Sequence, residues 1–146
     1  MLEAIQFIRK AIITRLTGTI TLNATVLPVF NRVPSTSVYP YIYVYSVSTN
    51  EADFNRSSYI TETLTRIEVV TRFSGDSGGE LQANQAISQI LQLIRTRSAG
   101  YFDLSADGFS VFTCVNEGTT YLVDEDSDYT YFRGIVEISN KIQQLS

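Results

Sequence analysis

The feature that most constrains the fold is a long stretch, Tyr59 to Phe73, in which charged side chains alternate with threonine and aliphatic ones. An alternation with a period of two is typical of a β-strand that turns one face to a core and the other to solvent. The less polar face would hold Thr63, Thr65, Ile67, Val69, Thr71 and Phe73, and the charged face Glu62, Arg66, Glu68 and Arg72. We therefore predict a long strand that is buried on one side only.

A second strand is predicted at Tyr39 to Ser48, where tyrosines alternate with β-branched residues. If Ile42 and Val44 face the core, the opposite face carries Tyr39, Tyr41, Tyr43 and Tyr45. Tyrosine is enriched in protein interfaces, so this stripe is a candidate subunit interface, unless a helix buries it. Stacking on single-stranded nucleic acid would need basic residues between the rings, and this strand has none.

The two strands are joined by a polar segment, residues 49–58, which predicts a hairpin with a projecting end. Phe54 is the one large apolar side chain in that segment. It would either anchor a neighbouring subunit or fold back on its own hairpin. The candidate interface residues here are Glu51, Asp53, Phe54 and Arg56.

Apolar residues at three- and four-residue steps predict helices over residues 2–17 and 80–97. Further strands are predicted over 25–33, where Pro28 indicates an edge position or a bulge, near 109–117, and over 129–142. The order α-β-β-β-α-β-β favours an α+β fold with two helices on a mostly antiparallel sheet. A chain of 146 residues is expected to be a single domain, 1–146.

The string Gly75-Asp76-Ser77-Gly78-Gly79 matches the nucleophile segment of trypsin-like serine proteases. That mechanism needs a histidine to accept the serine proton, and the chain contains none. We interpret Ser77 and Glu80 as a capping box that opens the second helix. The single cysteine, Cys114, is interpreted as a small buried hydrophobe. No enzymatic activity is expected.

An acidic run, predicted to lie in a long loop at residues 118–130, contains Asp124, Glu125, Asp126 and Asp128. Its spacing imitates the start of a calcium loop, but Tyr129 and Ile135 stand where that loop needs glycine and glutamate. A solvated turn is the favoured interpretation, and a weak cation site the alternative. Residues 76–146 carry four basic and ten acidic side chains, a net charge of −6, which argues against nucleic-acid capture.

No cofactor or metal motif is present, and no stretch approaches the length of a membrane span. Arg9 and Lys10 interrupt the first apolar run, so we expect no signal peptide and a chain that is made in a cytoplasm.

Taken as a whole, the chain resembles the tail-terminator or tail-completion proteins of long-tailed bacteriophages. The resemblance rests on the order of the elements and on three segments. These are Tyr-Pro-Tyr-Ile-Tyr-Val at 39–44, Arg-Ile-Glu-Val-Val-Thr-Arg-Phe at 66–73 and Tyr-Thr-Tyr-Phe-Arg-Gly-Ile-Val at 129–136.

The resemblance implies a structural protein of the virion that forms a homo-oligomeric ring, commonly a hexamer, at the head-proximal end of the tail tube. Such a ring ends tube growth and joins the tail to the head or neck. Its implied partners are further copies of itself, the tail tube protein and a head-completion or connector protein. DNA would pass through the lumen without specific binding. The net charge of −6 in residues 76–146 suggests the hypothesis that the acidic run lines that lumen or its rim. The alternatives are another neck or head-tail connector ring and a small cation-binding module.

Overall fold

The computed structural model describes residues 1–52, 58–95 and 102–145. Its two helices, α1 (Ile5–Leu16) and α2 (Leu81–Ile94), pack on one face of a six-stranded sheet. Neither of these described helices is long and apolar enough to cross a membrane. The strands are β1 (Thr21–Leu22), β2 (Thr25–Val26), β3 (Val29–Phe30), β4 (Tyr41–Glu51), β5 (Ile60–Ser74), β6 (Phe109–Val111), β7 (Val115–Glu125) and β8 (Tyr129–Gln144).

The sheet has the order β3-β4-β5-β8-β6, and β7 also pairs with β8. Strands β1 and β2 form a separate two-stranded hairpin. Every pairing is antiparallel except that of β3 with β4. The predicted α+β class, with two helices on a mostly antiparallel sheet, is therefore confirmed.

The core lies between the helices and the sheet face whose residues were predicted to be less polar. Ile67 and Val69 of β5 stand opposite Val44 and Ile42 of β4, and all four side chains are fully buried. The helices complete this core with Ile8, Ile12 and Leu16 from α1 and Ala86, Ile87, Ile90 and Ile94 from α2. The alternation in the sequence thus assigns the correct face of β4 and of β5 to the core.

A glycine on β8 allows α2 to approach the sheet closely. A Cβ atom on Gly134 would lie 2.9 Å from Cγ1 of Ile87 and 3.3 Å from Cε1 of Tyr121. A side chain at this position would push either the helix or the neighbouring strand away.

The capping box predicted for Ser77 and Glu80 is wrong. Helix α2 begins at Leu81, Glu80 occupies the N-cap position, and no side chain caps the helix. The Ser77 hydroxyl instead donates to the carbonyl of Ser74 at 2.6 Å, within the turn that follows β5. The next residue, Gly78, has a φ of +87°, and the ring of Phe73 fills the space that a Cβ atom would take. The glycine-rich segment is therefore a turn folded against Phe73, and the hydroxyl is used inside it.

The prediction of a long loop at residues 118–130 is also wrong. The predicted strand near 109–117 is two strands, β6 and β7, and β7 continues to Glu125. Only a short turn then separates β7 from β8. The side chains of β7 are exposed on both faces of the sheet. Because neither face is buried, the sequence lacks the alternation that marks a half-buried strand.

The remaining boundaries differ by a few residues. Helix α1 begins at Ile5 and not at residue 2, and α2 ends at Ile94. The strand predicted over 25–33 is split into β2 and β3 around Pro28, and β3 is an edge strand, as the proline indicated.

Candidate interaction surface

The face of the sheet that neither α1 nor α2 covers carries the predicted tyrosine stripe. Because Ile42 and Val44 point into the core, Tyr41, Tyr43 and Tyr45 point to the opposite side. Their partners on β5 are Val70, Glu68 and Arg66 in turn. The predicted orientation of the tyrosines is confirmed, and burial under a helix is excluded for these described residues.

The tyrosines contact one another and not only solvent. The ring centroids of Tyr43 and Tyr45 are 4.5 Å apart, and those of Tyr39 and Tyr41 are 5.1 Å apart. Phe30 of β3 stands edge-on to Tyr41 at 6.2 Å. These rings leave Tyr41 only 9% exposed, and burial, with a further contribution from Tyr39, raises the pKa of its phenol. The stripe is a packed aromatic layer with the outer parts of its rings open.

An ion-pair network crosses the same face. Arg133 of β8 donates to Oε1 of Glu68 at 2.7 Å and to Oδ2 of Asp124 at 2.8 Å, and so joins three strands. The Tyr45 hydroxyl lies 3.5 Å from the second Glu68 oxygen. Partial burial opposes the charge of Arg133, but the hydrogen bonds and charges of Glu68 and Asp124 outweigh it and raise its pKa. The network therefore ties the tyrosine stripe to the β7 side of the sheet.

Two further arginines connect rings and charges. Arg66 pairs with Glu137 and lies 5.9 Å from the centroid of the Tyr45 ring. Arg72 lies between two rings, 4.5 Å from the centroid of Tyr39 and 4.2 Å from that of Tyr129. An arginine above an aromatic face is held by the quadrupole of the ring, so these contacts fix the open face as a defined surface.

The acidic run is divided between the end of β7 and the turn that follows it. Asp126 accepts hydrogen bonds from the backbone N–H groups of Asp128 at 2.9 Å and Tyr129 at 2.7 Å, and from the Tyr131 hydroxyl at 3.1 Å. The two backbone hydrogen bonds lower the pKa of Asp126. Asp124 and Asp126 are thus engaged within the chain.

All four predicted acids, Asp124, Glu125, Asp126 and Asp128, are exposed. Within the described residues, no group of three potential metal ligands is arranged to hold an ion. Whether these acids line a lumen stays a prediction.

Of the four candidate residues predicted in and beside the hairpin loop, Glu51 is the one among the residues that the structure describes. Glu51 is the exposed last residue of β4, whereas Asp53, Phe54 and Arg56 lie outside the described residues. Their role in an interface stays a prediction.

Cys114 is 3% exposed and lies 3.5 Å from the carbonyl of Ile94. Burial raises the pKa of its thiol, which keeps it protonated. The interpretation of Cys114 as a buried hydrophobe is confirmed.

Sequence reasoning missed two parts of this surface. It did not identify the Glu68–Arg133–Asp124 network. The three residues lie on different strands, and the register between those strands could not be predicted from the sequence. It also missed the exposed apolar residues of β7, Leu122 and Val123. The run Thr119 to Val123, rich in threonine and β-branched residues, was the available signal for a strand there.

Comparison with known proteins agrees with the resemblance seen in the sequence. A family model described as tail completion protein gp17 matches residues 10–142. No curated protein matches the chain. The matched range runs from within α1 almost to the end of β8 and includes the open face. The chain therefore belongs to the tail completion protein gp17 family, a family of phage tail components of the virion that act in completing tail assembly.

Proposed function

We propose that copies of this chain form a closed ring, a hexamer, at the head-proximal end of the tail tube. The ring ends tube growth and provides the surface on which the head or neck joins the tail. Membership of the tail completion family over residues 10–142 is the observation that carries this proposal.

The open face supports a protein that works through contacts. Its rings, ion pairs and partly exposed tyrosines form a rigid amphipathic surface, which is the composition that protein interfaces favour. A ring that closes by head-to-tail contact needs two different patches on each subunit. We assign one patch to the open parts of Tyr39, Tyr43 and Tyr45, and the loop that follows Glu51 remains the second candidate from the sequence.

The acids provide the third part of the proposal. Asp124, Glu125, Asp126 and Asp128 all lie near one end of the sheet, where β7 turns into β8. Placed on the lumen or its rim, they would repel the phosphates of DNA and let it pass without binding. The assembly would take place in the cytoplasm of the host bacterium.

The proposal is tested by the mass of the native particle and by its effect on tube growth. Native mass spectrometry should give six times the chain mass, and electron micrographs should show rings. Polymerisation of the cognate tube protein with added chain should give shorter tubes with capped ends. A chain that stays monomeric and leaves tube length unchanged would contradict the proposal.

A further inference from the structure

The outer side of β7 is an edge of the main sheet that, among the described residues, has no partner strand. From Gly118 to Glu125, β7 pairs with β8 in unbroken register. The whole strand contains no proline, lysine or arginine, whereas protected edges usually carry proline or lysine. This edge can therefore accept a further strand.

The backbone groups that a further strand would use can be identified from the turn between β7 and β8. The N–H of Asp126 donates to the carbonyl of Tyr129 at 2.9 Å, so these residues form a hydrogen-bonded pair. Such pairs alternate along an antiparallel ladder with pairs whose N–H and C=O groups point away from the partner strand. Counted back from Asp126 in the β7–β8 register, the outward groups belong to Thr119, Tyr121, Val123 and Glu125.

Apolar side chains flank this row of outward groups on both faces of the sheet. Leu122, opposite Arg133, belongs to the open face and is 46% exposed. Val123, opposite Phe132, belongs to the helix-covered face and is 55% exposed. A groove between α2 and the start of β7 lies on the same face, lined by Ser88, Leu91, Gln92, Arg95 and Asn116. An added strand would bury side chains on both faces as well as pair with the backbone.

Acidic side chains lie along this edge. Glu117 and Glu125 belong to β7 itself, and neither forms a salt bridge with a described lysine or arginine. Burial, with a further contribution from the charge of Glu80, raises the pKa of the Tyr121 phenol, which places Glu80 near the same strand. Since like charges repel, a strand that added here would be favoured by basic side chains.

The arginines near the edge do not remove this preference. Arg133 is already engaged by Glu68 and Asp124. Arg95 lies in the groove at the start of β7, away from the end that carries Glu125. The end of β7 at Glu125 is therefore the most acidic part of the edge.

A second copy of β7 is a poor partner for this edge. If two copies paired antiparallel about Tyr121, Glu125 of one copy would stand opposite Glu117 of the other. Like charges that face each other across a strand pair are destabilising. A symmetric contact between two β7 strands is therefore disfavoured.

The opposite edge of the sheet in a second copy is a poor partner as well. There β3 is only two residues long, and β4 carries a bulge at Val47. This edge also has acids of its own, because β4 ends at Glu51 and Thr49 donates to Glu3 at 2.9 Å. Neither of these edges offers a regular strand with basic side chains.

We propose that the outer edge of β7 binds an extended, basic segment of a different protein by strand addition. The backbone of that segment pairs with the outward groups of β7, and its apolar side chains cover Leu122 and Val123. Its lysine or arginine side chains stand opposite Glu125 and Glu117. The inference goes beyond the proposed ring, because the ring joins copies of this chain and this edge takes another protein.

The probe for the test is a synthetic peptide with blocked ends and the sequence Lys-Thr-Val-Thr-Val-Thr-Val-Thr-Lys. Paired antiparallel about Tyr121, it places its lysines opposite Glu125 and Glu117 and a valine opposite Val123. Binding should slow exchange of the outward amides by at least about tenfold, as measured by NMR for each residue. The amides of Thr120 and Leu122, which point to β8, should change less and serve as internal controls.

Two altered peptides separate strand addition from attraction between charges. Methylation of the three valine nitrogens removes the N–H groups that face β7, and should weaken binding at least about tenfold in dissociation constant. Replacement of both lysines by glutamate should weaken it by a similar factor. Equal affinity of the methylated peptide would overturn strand addition, and equal affinity of the glutamate peptide would overturn the basic partner.

A proline in the edge tests the same contact from the side of the chain. Val123→Pro removes an outward N–H without removing a hydrogen bond to β8, so the edge should lose most of its affinity for the lysine peptide. Val123→Thr is the matched control, since it keeps both the N–H and the branched side chain. Far-UV circular dichroism and thermal melting would verify that both variants fold. Unchanged binding to a folded Val123→Pro chain would contradict the inference.

The charge preference is tested with two glutamates that end strands. Glu125→Gln should weaken binding of the lysine peptide, and more at low salt than at high salt. Glu51→Gln is the control, because Glu51 is the exposed last residue of β4, as Glu125 is of β7. Equal effects of the two substitutions would mean that net charge, and not this edge, attracts the peptide.

Native mass with and without the peptide separates this inference from the proposed function. A ring that keeps its mass while the outward amides become protected supports both. A monomer with the same protection contradicts the ring and supports the inference. A ring that dissociates as the peptide binds would show that the edge already holds a second copy, and overturns the inference. No binding at about 1 mM peptide, to ring or monomer, overturns it as well.

Discussion

The two faces of the sheet are made by the same strands but are held together by different forces. On the helix-covered face, Ile42, Val44, Ile67 and Val69 are fully buried against the helices. On the open face, rings and ion pairs contact one another and remain partly wet. Alternate residues of one strand thus serve two purposes: one set stabilises the fold and the other presents a surface.

The energies of the two faces differ accordingly. Full burial of an isoleucine or valine side chain contributes about 1.5–3 kcal/mol. An exposed ion pair contributes about 0–1 kcal/mol. The helix-covered face therefore carries most of the stability, and the exposed side chains of the open face can be changed with less risk to the fold.

The largest effect is expected from truncating a buried isoleucine on the helix-covered face, compared with an isoleucine on the open face. Ile67→Ala should lower the free energy of unfolding by about 2–5 kcal/mol, because it leaves a cavity in a fully buried site. Ile135→Ala is the matched change, since Ile135 is half-buried on the open face opposite Glu68. Urea denaturation should show a much smaller loss for Ile135→Ala. Equal losses at the two positions would mean that the open face is part of the folding core.

A medium effect is expected from the buried member of the open-face network. Glu68 is 8% exposed and holds Arg133, so Glu68→Gln should cost about 1–3 kcal/mol, as for other hydrogen bonds to charged groups. The coupling is measured by a double-mutant cycle of Glu68→Gln with Arg133→Met.

The pair Arg66–Glu137 gives the matched comparison for this cycle. Its two side chains are 34% and 33% exposed, so its coupling should fall in the range of about 0.2–1 kcal/mol. A coupling for Arg66–Glu137 as large as that for Glu68–Arg133 would show that burial does not decide the strength of these pairs.

Much of the helix-covered face could be predicted from the sequence. The alternation in β5 and the three- and four-residue steps in α1 and α2 assign most of the buried residues of these elements, because a half-buried element must repeat its apolar positions with its own period. The orientation of the tyrosine stripe follows from the same rule, once Ile42 and Val44 are assigned to the core.

The rest could not be predicted, for reasons that differ from residue to residue. The pairing of Glu68 with Arg133 depends on a register between β5 and β8 that long-range contacts set. Strand β7 has no buried face, so its sequence does not alternate between apolar and polar residues. Ser77 and Glu80 have the spacing of a capping box. The Ser77 hydroxyl instead donates to the carbonyl of Ser74 in a local turn that competes with the cap.

The smallest effect is expected at the acidic turn, where the open face ends. The backbone hydrogen bonds of Asp126 lower the pKa of its carboxyl in the folded chain. A carboxyl with a depressed folded pKa stabilises the fold above its unfolded pKa, near 3.9, and this contribution is lost as the pH falls through the folded value. Asp126→Asn keeps the side-chain oxygen that accepts from Asp128 and Tyr129 but removes the charge.

Thermal melting of the wild type and Asp126→Asn should therefore differ slightly at pH 7. The difference should shrink as the pH falls below about 3.9 and vanish below the folded pKa of Asp126. Asp128→Asn is the control, because it removes a charge from the same turn and its carboxylate accepts no hydrogen bond from the described residues. A difference for Asp126→Asn that persists unchanged to pH 2 would mean that the shape of the side chain, and not its charge, holds the turn. The negative charge of Asp126 would then not be needed for the fold, although its side-chain oxygen would still hold the turn.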